Sequence, residues 1–120
     1  MKREIVELFV SGKDLMRAIK YKKREESIID DIVSLLRKDI GPDRILLFGS
    51  RAEGKHKPGS DFDIALDGKK ISVRKMRELR EKLEKVSGLH KVDIIFLESV
   101  DKEFKDIVLR RGKILYERCA

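Results

Sequence analysis

The sequence predicts an α/β chain in which helices pack on one β-sheet. Three observations carry that prediction. Two stretches near the start keep a helical apolar period, short apolar runs of strand length begin at residue 45, and a further helical period separates two of those runs. The resulting order is helix, helix, strand, loop, strand, helix, strand, helix, strand, with no internal repeat or low-complexity segment.

Residues 4 to 20 place Ile5, Leu8, Phe9, Leu15, Met16 and Ile19 on one helical stripe if Gly12 is passed over. Ser11-Gly12 equally divides this segment into two short helices. KYKKREE leads into a clearer amphipathic helix, with Ile28, Ile29, Ile32, Leu35 and Leu36 on one face and a stop at Gly41-Pro42. From Arg44 the period changes, and ILLF is a continuous apolar run ending at a glycine, as a buried strand would. KHKPGS, residues 55 to 60, reads as a loop.

FDIAL then alternates, with Phe62, Ile64 and Leu66 on one face and Asp61, Asp63 and Ala65 on the other. Residues 72 to 87 return to a helical period that turns Val73, Met76, Leu79, Leu83 and Val86 inward, and Gly88 is placed to cap the helix. KVDIIFL is a third strand with Asp93 inside it. A short helix around Phe104, Ile107 and Val108, closed by Gly112, precedes a last strand in KILYE.

At 120 residues the chain makes about one domain, too small for a catalytic domain plus a substrate domain. A second substrate is therefore expected on a partner or on a second copy in a homodimer. Apolar residues are 41% and charged residues 42% of the chain, with no Trp, the composition of a soluble protein with a surface dense in Lys, Arg and Glu. Heat-adapted proteins share that excess.

The net charge of +7 admits an anionic partner, but Lys and Arg are interleaved with Glu, which describes a mixed, solvated surface better than a nucleic-acid stripe. No RNP-like aromatic pattern or zinc-finger spacing supports nucleic acid as a partner. Cys119 is the single cysteine, so no internal disulfide is expected and a reducing cytoplasm suits the chain. Neither a membrane span nor an apolar signal core is present in the sequence, and the protein is expected to be cytoplasmic and mature as written.

The chemistry concentrates in FGSRAEGKHKPGSDFDIAL, residues 48 to 66. Ionised carboxylates resist burial unless something compensates them, yet Asp61, Asp63 and Asp93 each sit in an apolar strand. If the strands of Asp63 and Asp93 are neighbours, the three carboxylates gather. At an effective dielectric near 20, two carboxylates about 5 Å apart repel by roughly 3 kcal/mol, so the cluster calls for a cation. Mg²⁺ suits one or two protein carboxylates completed by water and phosphate, whereas Zn²⁺ would favour His or Cys.

Gly49-Ser50 supplies the other half. A strand that ends in Gly-Ser and turns into a short helix at Arg51-Ala52-Glu53 aims backbone N–H groups and a hydroxyl at an anion. Phosphate at that turn and metal at the aspartates are the two ends of one nucleoside triphosphate. Two ions about 3.5 to 4 Å apart would stabilise the attacking and leaving oxygens of an in-line phosphoryl displacement. Taken singly, Asp61 and Asp63 also read as polar residues of an exposed sheet face and Asp93 as a lysine's partner. His56, in the polar loop, and His90, before the third strand, read as solvated side chains.

Gly49-Ser50, ten residues, then Asp61-Phe62-Asp63, with Asp93 in VDIIF later, resembles the hallmark of minimal nucleotidyltransferases of the DNA polymerase β superfamily. The resemblance covers about residues 22 to 118 and includes the closing GKILYE. It implies a mixed β-sheet flanked by helices, in a domain spanning 22–120 that follows an N-terminal helical extension over 1–21. Asp61 and Asp63 would bind the metals, two Mg²⁺ ions, and the phosphates of ATP. Asp93 would hold the catalytic metal and help activate the incoming hydroxyl, with Gly49, Ser50 and Arg51 binding the nucleotide.

The chain is similar in these residues to antitoxins of two-gene toxin–antitoxin pairs, whose partner is a helical HEPN-type ribonuclease. Such an antitoxin moves AMP from ATP onto a tyrosine of the toxin and silences it. Two departures stand out: Glu53 occupies a position that is basic in the usual GSRARG, and the N-terminal extension, a candidate dimer or partner surface, exceeds the smallest members. The sequence thus favours a metal-dependent adenylyltransferase over an antitoxin acting by contact alone, because a pure binder has no use for repelling carboxylates. Transfer to a small molecule lacks a second domain to hold it, and an RNA-binding role rests on charge only.

Overall fold

The structure, a computed structural model, describes residues 12–57, 59–88 and 90–119. Contacts divide the chain into two compact units, Met1–Asp30 and Asp31–Ala120. Helix α1 runs Gly12–Asp39 without a break, so the division at Ser11-Gly12 does not extend into the described residues, and the expected helical residues before Gly12 lie outside them. In the first unit Met16 is exposed. No helix among the described residues is long and apolar enough to cross a membrane.

In the second unit α1 ends as its apolar stripe does. The N–H groups of Ile40 and Gly41 both donate to the Leu36 carbonyl, and Gly41 at φ +65° turns the chain toward β1, Arg44–Phe48. A 3₁₀ turn, Gly49–Arg51, follows at once. The expected short helix at residues 51–53 therefore starts two residues early, so that Gly49 and Ser50 lie inside the turn rather than before it.

After a loop come β2, Phe62–Asp67, and helix α2, Val73–Ser87. The Ser72 hydroxyl caps α2 by accepting from the Lys75 N–H, and Gly88 ends it at φ +67°, which an L side chain rarely adopts. Strand β3, Val92–Phe96, leads through a 3₁₀ turn to α3, Lys102–Arg111, whose cap is the Asp101 carboxylate accepting from the Phe104 N–H at 2.8 Å. Strand β4, Lys113–Glu117, closes the chain.

The sheet order is β3-β2-β1-β4. Strand β1 pairs antiparallel with β2 and β4, whereas β2 and β3 are parallel and joined through α2, so the sheet is mixed as expected. Alternation gives it two buried faces. Leu46 and Ala65 face Val108 of α3 and Leu97, with Phe48, Ile95 and Leu109 packed around them. Ile45, Phe62, Ile64 and Leu66 point the other way and have no exposure, and Ile32, Leu36, Leu79 and Leu83 of α1 and α2 are buried as well.

Val73 departs from the expected inward stripe of α2. It is 79% exposed, because the first turn of the helix lies at the rim of a surface groove bounded by Ile71, Met76 and Phe96, ahead of the buried Leu79 and Leu83. Across the β1–β2 pair, Arg44 clamps Asp67 through two nitrogens at 2.7 and 2.8 Å, and Arg37 lies over the Tyr116 ring at 4.4 Å. These contacts hold the end of the sheet away from the aspartates.

The two faces give a direct test. Leu46→Ala is expected to cost about 2–5 kcal/mol in urea unfolding, by lost burial and a residual cavity, whereas Val73→Ala is expected to stay within about 0.5 kcal/mol.

Candidate active site

Strand register gathers the aspartates. Asp63 stands opposite Asp93 in the parallel β2–β3 pair and opposite Phe48 in the antiparallel β1–β2 pair. Neighbouring strands run about 4.8 Å apart, and paired residues project to one face, so Asp63 and Asp93 project side by side. Asp61 is exposed at the mouth of β2, and Asp63 and Asp93 are half-buried.

The electrostatics record this crowding. Burial, then the charge of Asp93, then that of Asp61 push the Asp63 carboxyl above its ordinary value, with Lys91 and Arg51 opposing them. Lys91 Nζ lies 3.6 Å from Asp93 Oδ1, a largely exposed contact that relieves the repulsion only in part. Among the described residues no group of three or more acidic, histidine or cysteine side chains is placed to hold a metal ion, so Asp63 and Asp93 stand as a pair with the charge of Asp61 nearby. The donor set is half-open and all oxygen, with excess negative charge, which fits a hard divalent cation that completes its shell with water and phosphate.

The Gly-Ser turn abuts these carboxylates. Gly49 has φ +73°, and a Cβ built there would lie 2.5 Å from Asp63 Oδ2. Glycine is required here twice over, by backbone conformation and by the closeness of the carboxylate. Phe48 carries the chain into the turn in extended conformation, and the N–H groups of Glu53 and Lys55 fold back onto the carbonyls of Gly49 and Ser50. The leading N–H groups of a helical turn have no partner within it, so this turn presents donors beside the carboxylates.

Arg51 behaves differently from its neighbours. It is 6% exposed, its Nε and Nη2 donate to the Ser60 carbonyl at 3.0 and 2.6 Å, and Nε also reaches the Asp61 carbonyl at 3.2 Å. Its guanidinium carbon lies 3.8 Å from the centroid of the Phe62 ring. Phe62 points to the face opposite Asp63, so the structure brings Gly49, Ser50, Asp61, Asp63 and Asp93 together and directs the Arg51 side chain beneath them.

Glu53, at the usually basic position, has its Oε1 3.7 Å from Arg111 Nη1 of α3. The histidine expectation needs correction. Both rings are half-buried rather than solvated, and His90 sets its edge on Phe62 at 5.3 Å with Nδ1 buried and unpartnered. Nothing in the local pattern around residue 90 signals this, because the ring it meets lies on another strand. A cavity of about 630 Å³ opens along the β3 edge with Asp93 on its rim, but Asp61, Asp63, Gly49 and Ser50 do not line it.

Comparison with known proteins agrees with the geometry. The family model described as "Polymerase beta, Nucleotidyltransferase" matches residues 30–119. A protein adenylyltransferase MntA from Thermococcus cleftensis is 38% identical over 86 residues, covering 71% of this chain and 86% of that protein. A crystal structure of a toxin–antitoxin with AMP-PNP superposes with a TM-score of 0.66 at 30% identity, over 75% of this chain and 73% of that one. A structure of a tri-AMPylated Shewanella oneidensis HEPN toxin in complex with an MNT antitoxin gives a TM-score of 0.60 at 28% identity, over 76% and 71%.

The raised Asp63 carboxyl sets a pH signature. A carboxyl raised in the folded state favours folding when protonated, and that stability is lost as pH rises through the raised value. Asp63→Asn is therefore expected to melt at a higher temperature than the wild type in chelator at neutral pH. Its advantage should shrink as pH falls and the wild-type carboxyl protonates, and added Mg²⁺ should raise the wild-type melting temperature more than the variant's.

Proposed function

This chain belongs to the polymerase β nucleotidyltransferase family, and from that premise we propose that it is a cytoplasmic adenylyltransferase. It moves AMP from ATP onto a tyrosine hydroxyl of a HEPN-type toxin and so acts as that toxin's antitoxin. The observation that carries the reading is the contact of Gly49 with Asp63 and the register of Asp63 with Asp93. These adjacencies bring the phosphate-binding turn and the carboxylates within the span of one triphosphate. The relatives named above, an adenylyltransferase and an AMPylated HEPN toxin bound to its antitoxin, supply the donor and the acceptor class. Catalysis is assigned to residues 22–120, with 1–21 as an extension, in keeping with a family match that begins at residue 30.

Gly49 and Ser50 hold the β- and γ-phosphates through backbone N–H groups and the hydroxyl. Asp61, Asp63 and Asp93 would hold Mg²⁺, two ions by the family's pattern. When bound, Mg²⁺ offsets the charge that develops on the phosphates and on the entering oxygen. The acceptor oxygen enters from the Asp93 side, forms its bond to the α-phosphorus and gives up its proton toward Asp93. The bond from the α-phosphorus to the bridging oxygen breaks, and pyrophosphate leaves on the Gly49-Ser50 side. The acceptor is a hydroxyl carried by a protein, as the AMPylated HEPN toxin in the complex named above indicates.

The test is transfer of label from α-labelled ATP to the partner, with γ-labelled ATP as control. Label is expected from the α-position only, and Asp61→Asn or Asp63→Asn should lower the rate by about 10²–10³-fold with the fold retained. Undiminished transfer by both variants would exclude this site. Neutralisation of the partner by both variants without transfer would assign the chain to contact alone.

A further inference from the structure

We propose that Arg51 is a positioning residue that ties the phosphate-binding turn to the start of the aspartate strand from beneath the sheet, without touching the nucleotide. The proposal rests on the adenylyltransferase reading and concerns how its site is held together.

Arg51 ends the 3₁₀ turn that contains Gly49 and Ser50, so its backbone is part of the phosphate cradle. Its side chain reaches the carbonyls of Ser60 and Asp61, nine and ten residues onward, through three contacts of 2.6 to 3.2 Å. Between them lies a loop with Gly54 at φ +71° and Gly59 at φ +83°, in which the N–H groups of Glu53, Gly54 and Lys55 fold back onto the turn and Lys57 and Ser60 bond to each other. The Arg51 side chain spans this loop from the turn at its start to the residues that lead into the aspartate strand at its end. The guanidinium closes it into a ring whose two anchor points are the two halves of the active site.

Nε and Nη2 are engaged by backbone carbonyls. Alternation along β2 sends Phe62 to the face opposite Asp63, and the guanidinium lies on the Phe62 ring while Phe62 itself has no exposure. Reaching the nucleotide would cost Arg51 its carbonyl bonds, its aromatic contact and its burial together. Lysine cannot substitute, because an ammonium offers neither a flat face to the ring nor a planar fork to two carbonyls. Losing the clamp leaves every metal and phosphate ligand in the chain but lets Asp61 shift, and a misplacement near 1 Å costs about 10²-fold in rate.

The experiment compares wild type, Arg51→Lys and Phe62→Leu, the last removing the ring under the guanidinium while leaving its charge and donors. Each is measured for kcat and for KM toward ATP in the label-transfer assay, for Kd toward AMP-PNP with Mg²⁺, and for amide hydrogen exchange over residues 52–61. A positioning role predicts faster exchange in that segment for both variants, a kcat lower by about 10²-fold in Arg51→Lys and by less in Phe62→Leu, and Kd within about 3-fold of wild type.

A Kd weakened tenfold or more by Arg51→Lys, with exchange unchanged, would make Arg51 a phosphate ligand and overturn the proposal. So would unchanged exchange with unchanged kcat. Should Arg51→Lys fail to fold, the same readouts on Phe62→Leu decide the matter, and unchanged exchange with unchanged kcat there overturns it. If the wild type transfers no label, the adenylyltransferase reading fails by itself, and hydrogen exchange still reports whether Arg51 holds the segment.

Discussion

Asp63 is the fixed point of this molecule. Strand register holds it between Phe48 on one side and Asp93 on the other, and the Gly49 turn comes so close to its carboxylate that no side chain fits between them. A carboxylate in that position is destabilised by burial and by two like charges, so it persists only because the strands on either side are held by an apolar core that does not yield. Burying Ile64, Ala65 and Leu66 without exposure makes β2 rigid, and that rigidity places Asp63 where isolated chemistry would not.

Cations in the neighbourhood divide into two kinds. Lys91 is exposed beside Asp93 and tempers the repulsion weakly, as a screened surface charge does. Arg51 is buried, spends its donors on backbone carbonyls and stacks on Phe62, so it combines a nearby positive charge with a mechanical tie. Neither neutralises three carboxylates. The remaining excess of negative charge is the physical basis of the divalent-cation and triphosphate reading proposed for these residues.

The departure at Glu53 also finds a local partner. Where relatives of this pattern usually carry a basic residue, Glu53 approaches Arg111 at the end of α3, so the turn is linked to the helix covering the same face of the sheet. The pair is long and exposed and adds little stability. Its consequence is electrostatic, since the negative charge beside the Gly49–Arg51 turn has a cation next to it.

Sequence by itself determined the elements and the chemistry. The alternation in FDIAL, the glycine after ILLF, the helical stripes and the spacing from Gly49-Ser50 to Asp61 and Asp63 are local signals, legible because strand and helix periods act within a few residues. Tertiary structure decided whatever depends on a second element. It left Val73 outward at a groove rim. It also set the half-buried His90 ring against Phe62 of β2 and directed the Arg51 guanidinium to the carbonyls of Ser60 and Asp61. The direction of a long side chain is set by which donors, rings and carbonyls converge on it in space, and no spacing along the chain encodes that convergence.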